Sequence, residues 1–424
     1  MELRPRAGKP QASITGAYMT TDVKVRNEDI PHVGLGTPAG EWFRRYWMPI
    51  SRVEDLRDIP LGIRVLGEDL VLFRDLRGKP GLIGNSCPHR GTSLEYGDIE
   101  DRGIRCAYHG WLFDVEGRCL EQPTEPEGSV FHTKVRQTWY PVRELGGLIF
   151  SYMGPDGDNP PPLPRYAPLI DRGGLRQIEP TRHFDYNWLN FYENSADPLH
   201  VVILHRESGY GKQSWGDQFF SQADPPAYEP VETFYGMKIV MTKPGPSDDT
   251  EIVDEMSLGL PSILQIGDTE FVHAQLDKET LEKKGSQFEH AMFITPNDDD
   301  HFMMFTVDYY TGPDPDIFRH LKEMRKREEP KQDVKEYDHR KHMPFRGNVR
   351  REDLMTQGTQ GILSQRSEHL GTSDVGIIMI RRLLRKNIEA ALKGERPKGV
   401  LAWDEAENLF QLDSFVGVRA KKSE

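Results

Sequence analysis

The stretch SCPHRGTSLEYGDIEDRGIRCAYHGW, residues 86–111, decides how this chain is read. It holds Cys87-Pro88-His89-Arg90-Gly91 and Cys106-Ala107-Tyr108-His109-Gly110, a C-x-H and a C-x-x-H separated by sixteen residues. Short extended runs flank it. IRVLGEDLVLFRD (63–75) has the pattern of a hairpin turning at Gly67 to Asp69, and Leu82-Ile83, Ile104 to Ala107, Trp111 to Phe113 and Gly147 to Tyr152 continue the series. Gly and Pro interrupt the chain every eight to twelve residues, as in small all-β modules. The reading is a β module over 46–156 carrying two Cys/His loops, preceded by an arm and a lead-in helical turn (GEWFRRYW, 40–47) within 1–45.

Two thiols and two imidazoles on two loops suit one of two centres. A tetrahedral zinc ion takes this ligand count. A Rieske [2Fe–2S] cluster takes two thiolates on one iron and two imidazoles on the other. The loops favour the cluster. Each pairs its Cys and His within three residues and follows the His with Gly, which lets backbone N–H groups approach sulfur. Tyr108, Trp111 and Phe113 offer a shield on one side. The third cysteine, Cys119, lies outside both loops and reads as a buried free thiol. Three sparse cysteines make no disulfide framework and point to a reducing, cytoplasmic setting.

At 424 residues two domains are expected, and 37% hydrophobic content supports a core. A net charge of −13 argues against nucleic-acid binding. No apolar run approaches a membrane span, and MELRPRAGKPQAS has no secretory h-region. The stiff segment Asn159-Pro160-Pro161-Pro162-Leu163-Pro164 marks the boundary, giving a second unit over 157–424. Extended runs are expected at Met237 to Met241, Ile252 to Leu258, Phe288 to Thr295 and Phe302 to Tyr310. A last helix over Gly376 to Lys393 has a stripe of Ile377, Ile380, Leu384 and Ile388. The mixed-charge span from Lys322 to His342 reads as solvated.

Early in the second unit lies NFYENSADPLHVVILH, residues 190–205. Asp197 and His200, three apart, share a helical face. His200 and His205 are five apart, roughly 140° around a continuous helix, and can grip one ion only if the helix ends between or at them. Asp197 and Pro198 fit an N-cap and a first helical position. The plainer reading is an amphipathic helix with two satisfied histidines. Asn190 and Asn194 either cap the helix or reach a metal. Trp188 and Phe191 read as core, and Arg206 as a surface ion pair or a substrate anchor.

These residues carry a resemblance. SCPHRGTSLEYG (86–97), GIRCAYHGWLFDVEGRCLEQPTEPE (103–127), GGLIFSYMGP (146–155), VGLGTPAGEWFRRYWMPI (33–50) and SQRSEHLGTSD (364–374) resemble the oxygenase subunits of Rieske non-haem iron oxygenases. The similarity is to the phthalate-dioxygenase-like branch that includes aromatic O-demethylases, and it runs from about residue 30 to 395. It implies an α+β chain: an all-β Rieske domain and a helix-grip (START-like) catalytic domain with an antiparallel sheet. It implies a cluster on Cys87, His89, Cys106 and His109, and a mononuclear Fe(II) on His200 and His205. A carboxylate from Arg351-Glu352-Asp353-Leu354-Met355-Thr356-Gln357 completes that site, Asp353 before Glu352. Asp197 becomes a bridge, hydrogen-bonded to His200 and to His109 of a neighbouring subunit, in a homotrimer or stacked trimers. Asn190 and Asn194 reach toward the iron. Electrons come ultimately from NAD(P)H through a separate reductase, with or without a ferredoxin. O2 is spent on a small aromatic acid, by mono-oxygenation such as O-demethylation or by cis-dihydroxylation. A reading of another class, an electron-transfer iron–sulfur protein without oxygenase activity, is opposed by the intact D-x-x-H-x-x-x-x-H.

Overall fold

The computed structural model describes residues 24–205, 222–267, 288–319, 322 and 349–421. Most of the charged span 322–342, the start of the chain and Arg206 lie outside the described residues. The first unit is three small antiparallel sheets. β1 (Trp47–Arg52) forms one with the later strands β10 (Val142–Leu145) and β11 (Leu148–Tyr152). β2 (Leu61–Val65), β3 (Glu68–Arg74), β4 (Pro80–Gly84) and β9 (Trp139–Tyr140) form the second. β5 (Asp98–Glu100), β6 (Gly103–Arg105), β7 (Leu112–Phe113) and β8 (Cys119–Glu121) form the third, beside the Cys/His loops.

The β2–β3 turn sits one residue earlier than the sequence reading has it. Val65 pairs with Glu68, so Leu66 and Gly67 are the two turn residues, with φ of 47° and 81°. Positive φ at both positions matches the twist of a tight hairpin. Tertiary contact is what lets a leucine adopt it. Leu66 is fully buried, and the Leu66 and Gly67 N–H groups donate to the Pro296 and Asn297 carbonyls of the second unit.

In that second unit the short β12 (Arg165–Tyr166) pairs with β21 (Leu409–Phe410). The large antiparallel sheet runs β13 (Leu175–Ile178), β20 (Phe302–Tyr310), β19 (Phe288–Pro296), β18 (Ile263–Ile266), β17 (Thr250–Gly259), β16 (Gly236–Pro244) and β15 (Ala227–Glu232). β14 (Arg182–Phe184) adds to β20, and β22 (Phe415–Ala420) to β17. All nine residues of β20 are buried. One face of β19 meets the first unit, where Phe293 packs edge-on against Phe150 and Tyr166. The other face of this pair meets helical material, where Phe302 stacks on Phe184 at 4.6 Å and lies beside Phe191. Strands covered on both faces need no polar alternation, which explains the unbroken apolar run.

Helices among the described residues include α1 (Pro38–Phe43), α2 (Trp188–Asn194), α3 (His200–Leu204), α4 (Val349–Thr359) and α5 (Val375–Leu392). The inward stripe of α5 starts at Gly376 rather than Ile377 and continues through Ile380, Leu383, Leu384, Ile388 and Ala391. Gly376 marks a close approach: a Cβ there would stand 2.0 Å from the Ala196 carbonyl oxygen. This contact seats the turn that carries Asp197.

Residues 24–43 are built into the body of the molecule rather than trailing from it. Val25, Ile30 and Val33 are buried, and the Val25 N–H donates to Glu389 on α5 at 2.9 Å. The proline segment is likewise a packed strap. Pro160, Pro162 and Pro164 are buried, and Trp47 Nε1 donates to the Pro161 carbonyl at 2.7 Å.

Candidate active site

The two Cys/His loops have one hydrogen-bond design. The Cys87 N–H donates to the Thr92 carbonyl and the Cys106 N–H to the Trp111 carbonyl, each five residues on. The Gly91 and Gly110 N–H groups return to the Cys87 and Cys106 carbonyls, each from four residues on. Both glycines sit at positive φ, 78° and 73°, where a side chain would be strained. The loops thereby tuck their thiols in and turn their imidazoles out. Cys87 and Cys106 are 2% and 3% exposed, while His89 is exposed and His109 half-buried. The imidazoles lie edge to face at 4.4 Å, with His89 stacked on Trp111 at 4.5 Å.

This donor set fits a two-iron cluster. Burial first, and then the neighbouring Cys106, push the Cys87 thiol up to about 12. Two buried thiols facing each other ionise readily only when a cation receives them. A single tetrahedral ion would draw all four donors together. Among the described residues, the one trio with ligand atoms all within 4.8 Å is elsewhere: His200, His205 and Asp353.

That trio is assembled from two elements, α3 and α4, with α2 beside them. Asn187, not Asn190 or Asn194, caps α2, its side chain accepting from the Leu189 N–H. α2 ends at Asn194, a turn over Ser195 to Leu199 interrupts the helical hydrogen bonding, and α3 begins at His200. His200 opens α3 and His205 terminates it, with φ −93° and ψ 10°. The helix therefore ends at the second histidine, and the rings meet with centroids 5.2 Å apart. Asp353 Oδ1 on α4 lies 3.3 Å from His205 Nε2 and 3.7 Å from His200 Nε2. Asn194 Nδ2 stands 3.3 Å from His200 Nε2 and 3.3 Å from Asp353 Oδ1.

Both Nδ1 atoms are held from behind. His200 Nδ1 faces the Asp197 backbone carbonyl. The resemblance puts the Asp197 carboxylate there. The carbonyl takes that place because Asp197 precedes α3, so no helical N–H claims its oxygen, while the side chain accepts from the Leu199 N–H at 3.2 Å. His205 Nδ1 meets Glu352 Oε2 at 2.9 Å. Burial alone would push His205 down, but the Asp353 and Glu352 carboxylates outweigh it and leave it raised. Asp197 is raised mainly by burial, with His200 opposing. Two imidazole nitrogens and a carboxylate oxygen converging on one side are the donor set of a two-His-one-carboxylate iron site.

A shell of partners braces the trio. Asn190 Nδ2 donates to the Gln357 and Gly361 carbonyls at 3.0 Å, tying α2 to the end of α4. Gln357, one turn past Asp353, accepts from the Tyr186 hydroxyl at 2.7 Å. Glu193 is buried on α2 and paired with Arg381 and Arg366, which Glu368 joins. Sequence reasoning passed over Glu193, Tyr186 and the role of Glu352. For Gln357 a signal existed, its spacing of four from Asp353. An open cavity of about 310 Å³ is lined by Asn194, Asp197, His200, Ile203, Leu204, Thr356 and Gln360.

The chain is similar to known proteins over most of its length. Residues 46–140 match the Rieske [2Fe-2S] domain. The chain is 35% identical over 400 residues to the phenoxybenzoate dioxygenase subunit alpha of Ectopseudomonas oleovorans, covering 90% of this chain and 89% of that one. It is 35% identical over 422 residues to the tert-butanol monooxygenase / tert-amyl alcohol desaturase oxygenase subunit of Aquincola tertiaricarbonis (93% and 83% covered). It is 32% identical over 394 residues to the 5,5'-dehydrodivanillate O-demethylase oxygenase subunit of Sphingobium sp. (strain NBRC 103272 / SYK-6), at 89% and 82% coverage. Dicamba monooxygenase bound to dicamba shares the fold, with a TM-score of 0.60 at 19% identity over 82% of this chain and 98% of that chain.

Proposed function

The chain belongs to the family of Rieske oxygenase alpha subunits, and from that premise we propose its ligands, its substrate class and its assembly. It is the oxygenase component of a multicomponent system that uses O2 and reductase-supplied electrons, with a [2Fe–2S] cluster and a mononuclear iron. We assign the cluster to Cys87, His89, Cys106 and His109, in a domain over 46–156, and the iron to His200, His205 and Asp353, in a domain over 157–424. The observation that carries the reading is the convergence of those last three residues within 4.8 Å in a chain that also holds the paired Cys/His loops.

When bound, the two groups supply single-electron transfer and O2 activation. The protein's own residues do the rest. His200, His205 and Asp353 would hold the iron, a donor set that would leave it accessible to O2 and substrate. Asn194 holds the Asp353 carboxylate in place through Nδ2. Phe184, Tyr186, Phe191 and Phe302 pack on one another as core, and from that cluster the Tyr186 hydroxyl holds Gln357 on α4. Asp197 offers its carboxylate to His109 of a second copy. The exposure of His89 and partial exposure of His109, with Asp197 lining an open cavity, support transfer between subunits and a closed ring, a trimer or stacked trimers. The electron donor is a reductase, with or without a ferredoxin. Three free cysteines support a cytoplasmic setting, and no helix among the described residues is long and apolar enough to cross a membrane.

The substrate is an aromatic carboxylic acid, and the reaction is mono-oxygenation, such as O-demethylation of a methoxylated acid. A relative named an O-demethylase oxygenase subunit supports this. cis-Dihydroxylation of a phthalate-type acid is the second reading, favoured by the relative named a dioxygenase. Product analysis with reductase, NAD(P)H and methoxylated benzoates separates them. Formaldehyde and a phenol formed in step with O2 uptake are expected. A cis-diol would move the assignment to ring dihydroxylation, and no coupled O2 uptake with any aromatic acid would overturn the substrate class.

A further inference from the structure

We propose that Glu352 is the positioning residue of His205, and that it makes the two imidazoles of the iron site unequal. The proposal rests on the reading of His200, His205 and Asp353 as the iron ligands. α4 presents two consecutive carboxylates to one ring: Glu352 Oε2 lies 2.9 Å from Nδ1 and Asp353 Oδ1 3.3 Å from Nε2. Consecutive helical residues point about 100° apart, so they reach two sides of a ring only when the ring is inserted against the helix. His205 is so placed because α3 ends at it.

The contact is buried. The His205 side chain is 2% exposed and the Glu352 side chain 1%. A buried carboxylate needs positive charge nearby or a strong donor. His205 meets that need in one tautomer, with Nδ1–H donating to Glu352 and the Nε2 lone pair facing Asp353. A charged acceptor behind an imidazole raises its basicity as a ligand. His200 has a weaker backing, the neutral carbonyl of Asp197. His205 is thus the anchoring ligand. His200, beside the open cavity and Asp197, is the more responsive one.

The test is Fe(II) retention by the full-length chain, with visible absorption of the [2Fe–2S] cluster recorded in every variant as the measure of an intact fold. Glu352→Ala frees the His205 ring, and its mononuclear Fe(II) should pass to a chelator roughly 10- to 100-fold faster than the parent's. Glu352→Gln keeps an acceptor but removes the charge. It should hold Fe(II) within a few-fold of the parent, while the Fe(III)/Fe(II) potential of the site rises. Cluster absorption should be unchanged in both. Should Glu352→Ala fail to fold, the potential in Glu352→Gln carries the test. Parent-like retention in Glu352→Ala, or an unmoved potential in Glu352→Gln, would overturn the proposal. Loss of iron in Glu352→Gln as complete as in Asp353→Asn would also overturn it, making Glu352 a ligand itself. Parent-like iron in Asp353→Asn would refute the underlying site assignment instead.

Discussion

Asp197, His200 and His205 are legible in the sequence because their spacing is unusual, but their individual duties are not. The two histidines are five positions apart, and a continuous helix would point them apart. The structure resolves this by starting α3 at one and ending it at the other. The choice between Glu352 and Asp353 was harder to read. Both are acids on one helix, and only the placement of α4 against His205 sends one to Nδ1 and the other toward both Nε2 atoms. Asn190 and Asn194 also divide by position: Asn194 reaches the trio, and Asn190 ties two helices together. At this scale Asp197→Ala is informative. The Asp197 side chain touches neither Nε2 nor Asp353 in the described contacts, so iron content should stay at the parent level. Turnover should be lost, because the carboxylate offered to His109 of a second copy is gone while the backbone carbonyl behind His200 remains. Single-turnover product yield at parent level would contradict the bridging role.

Elements were easier to read than their ends. The four long extended runs all lie within strands, because runs of apolar and β-branched residues bounded by turns favour extended pairing. The β2–β3 turn was displaced by one residue because a buried leucine accepts positive φ under tertiary contact, which no local pattern shows. The N-terminal segment was read as an arm because Val25, Ile30 and Val33 are isolated apolar residues; only docking against α5 and the sheet explains their burial. A buried acid in β17 gives a prediction for the elements. Burial, with Glu255 beside it, pushes Asp254 up to about 7. The folded protein then keeps a proton that the unfolded chain releases near the ordinary carboxylate pKa of about 4. The stability from that proton is complete below about pH 4 and is lost as the pH rises through about 7. Asp254→Asn should flatten this slope and raise stability above neutral pH by a few kcal/mol at most. Urea unfolding at about pH 5 and about pH 8 checks it, and an unchanged slope in the variant would count against the buried acid.

The whole molecule is two units sharing one principal core. That cluster runs from Trp42 and Phe43 through Phe150 to Phe293 and Phe305, and so crosses the boundary that the proline segment suggests. The second cluster is small and surrounds the thiols, with Val71, Phe73, Ile83, Leu94, Ile104, Trp111 and Phe113. The sequence separates the units through a change of pattern at residue 159, but a shared core leaves no periodic signature. The outcome is an exposed and a half-buried imidazole on the Cys/His loops, and a His/His/Asp trio held among three helices. The central claim is that this chain holds a mononuclear iron besides its cluster, and iron analysis tests it most directly. The purified protein should contain about three irons per chain, two in the cluster and one mononuclear. Asp353→Ala should contain about two, with the cluster absorption intact. About three irons in Asp353→Ala, or about two in the parent after anaerobic Fe(II) loading, would contradict the account.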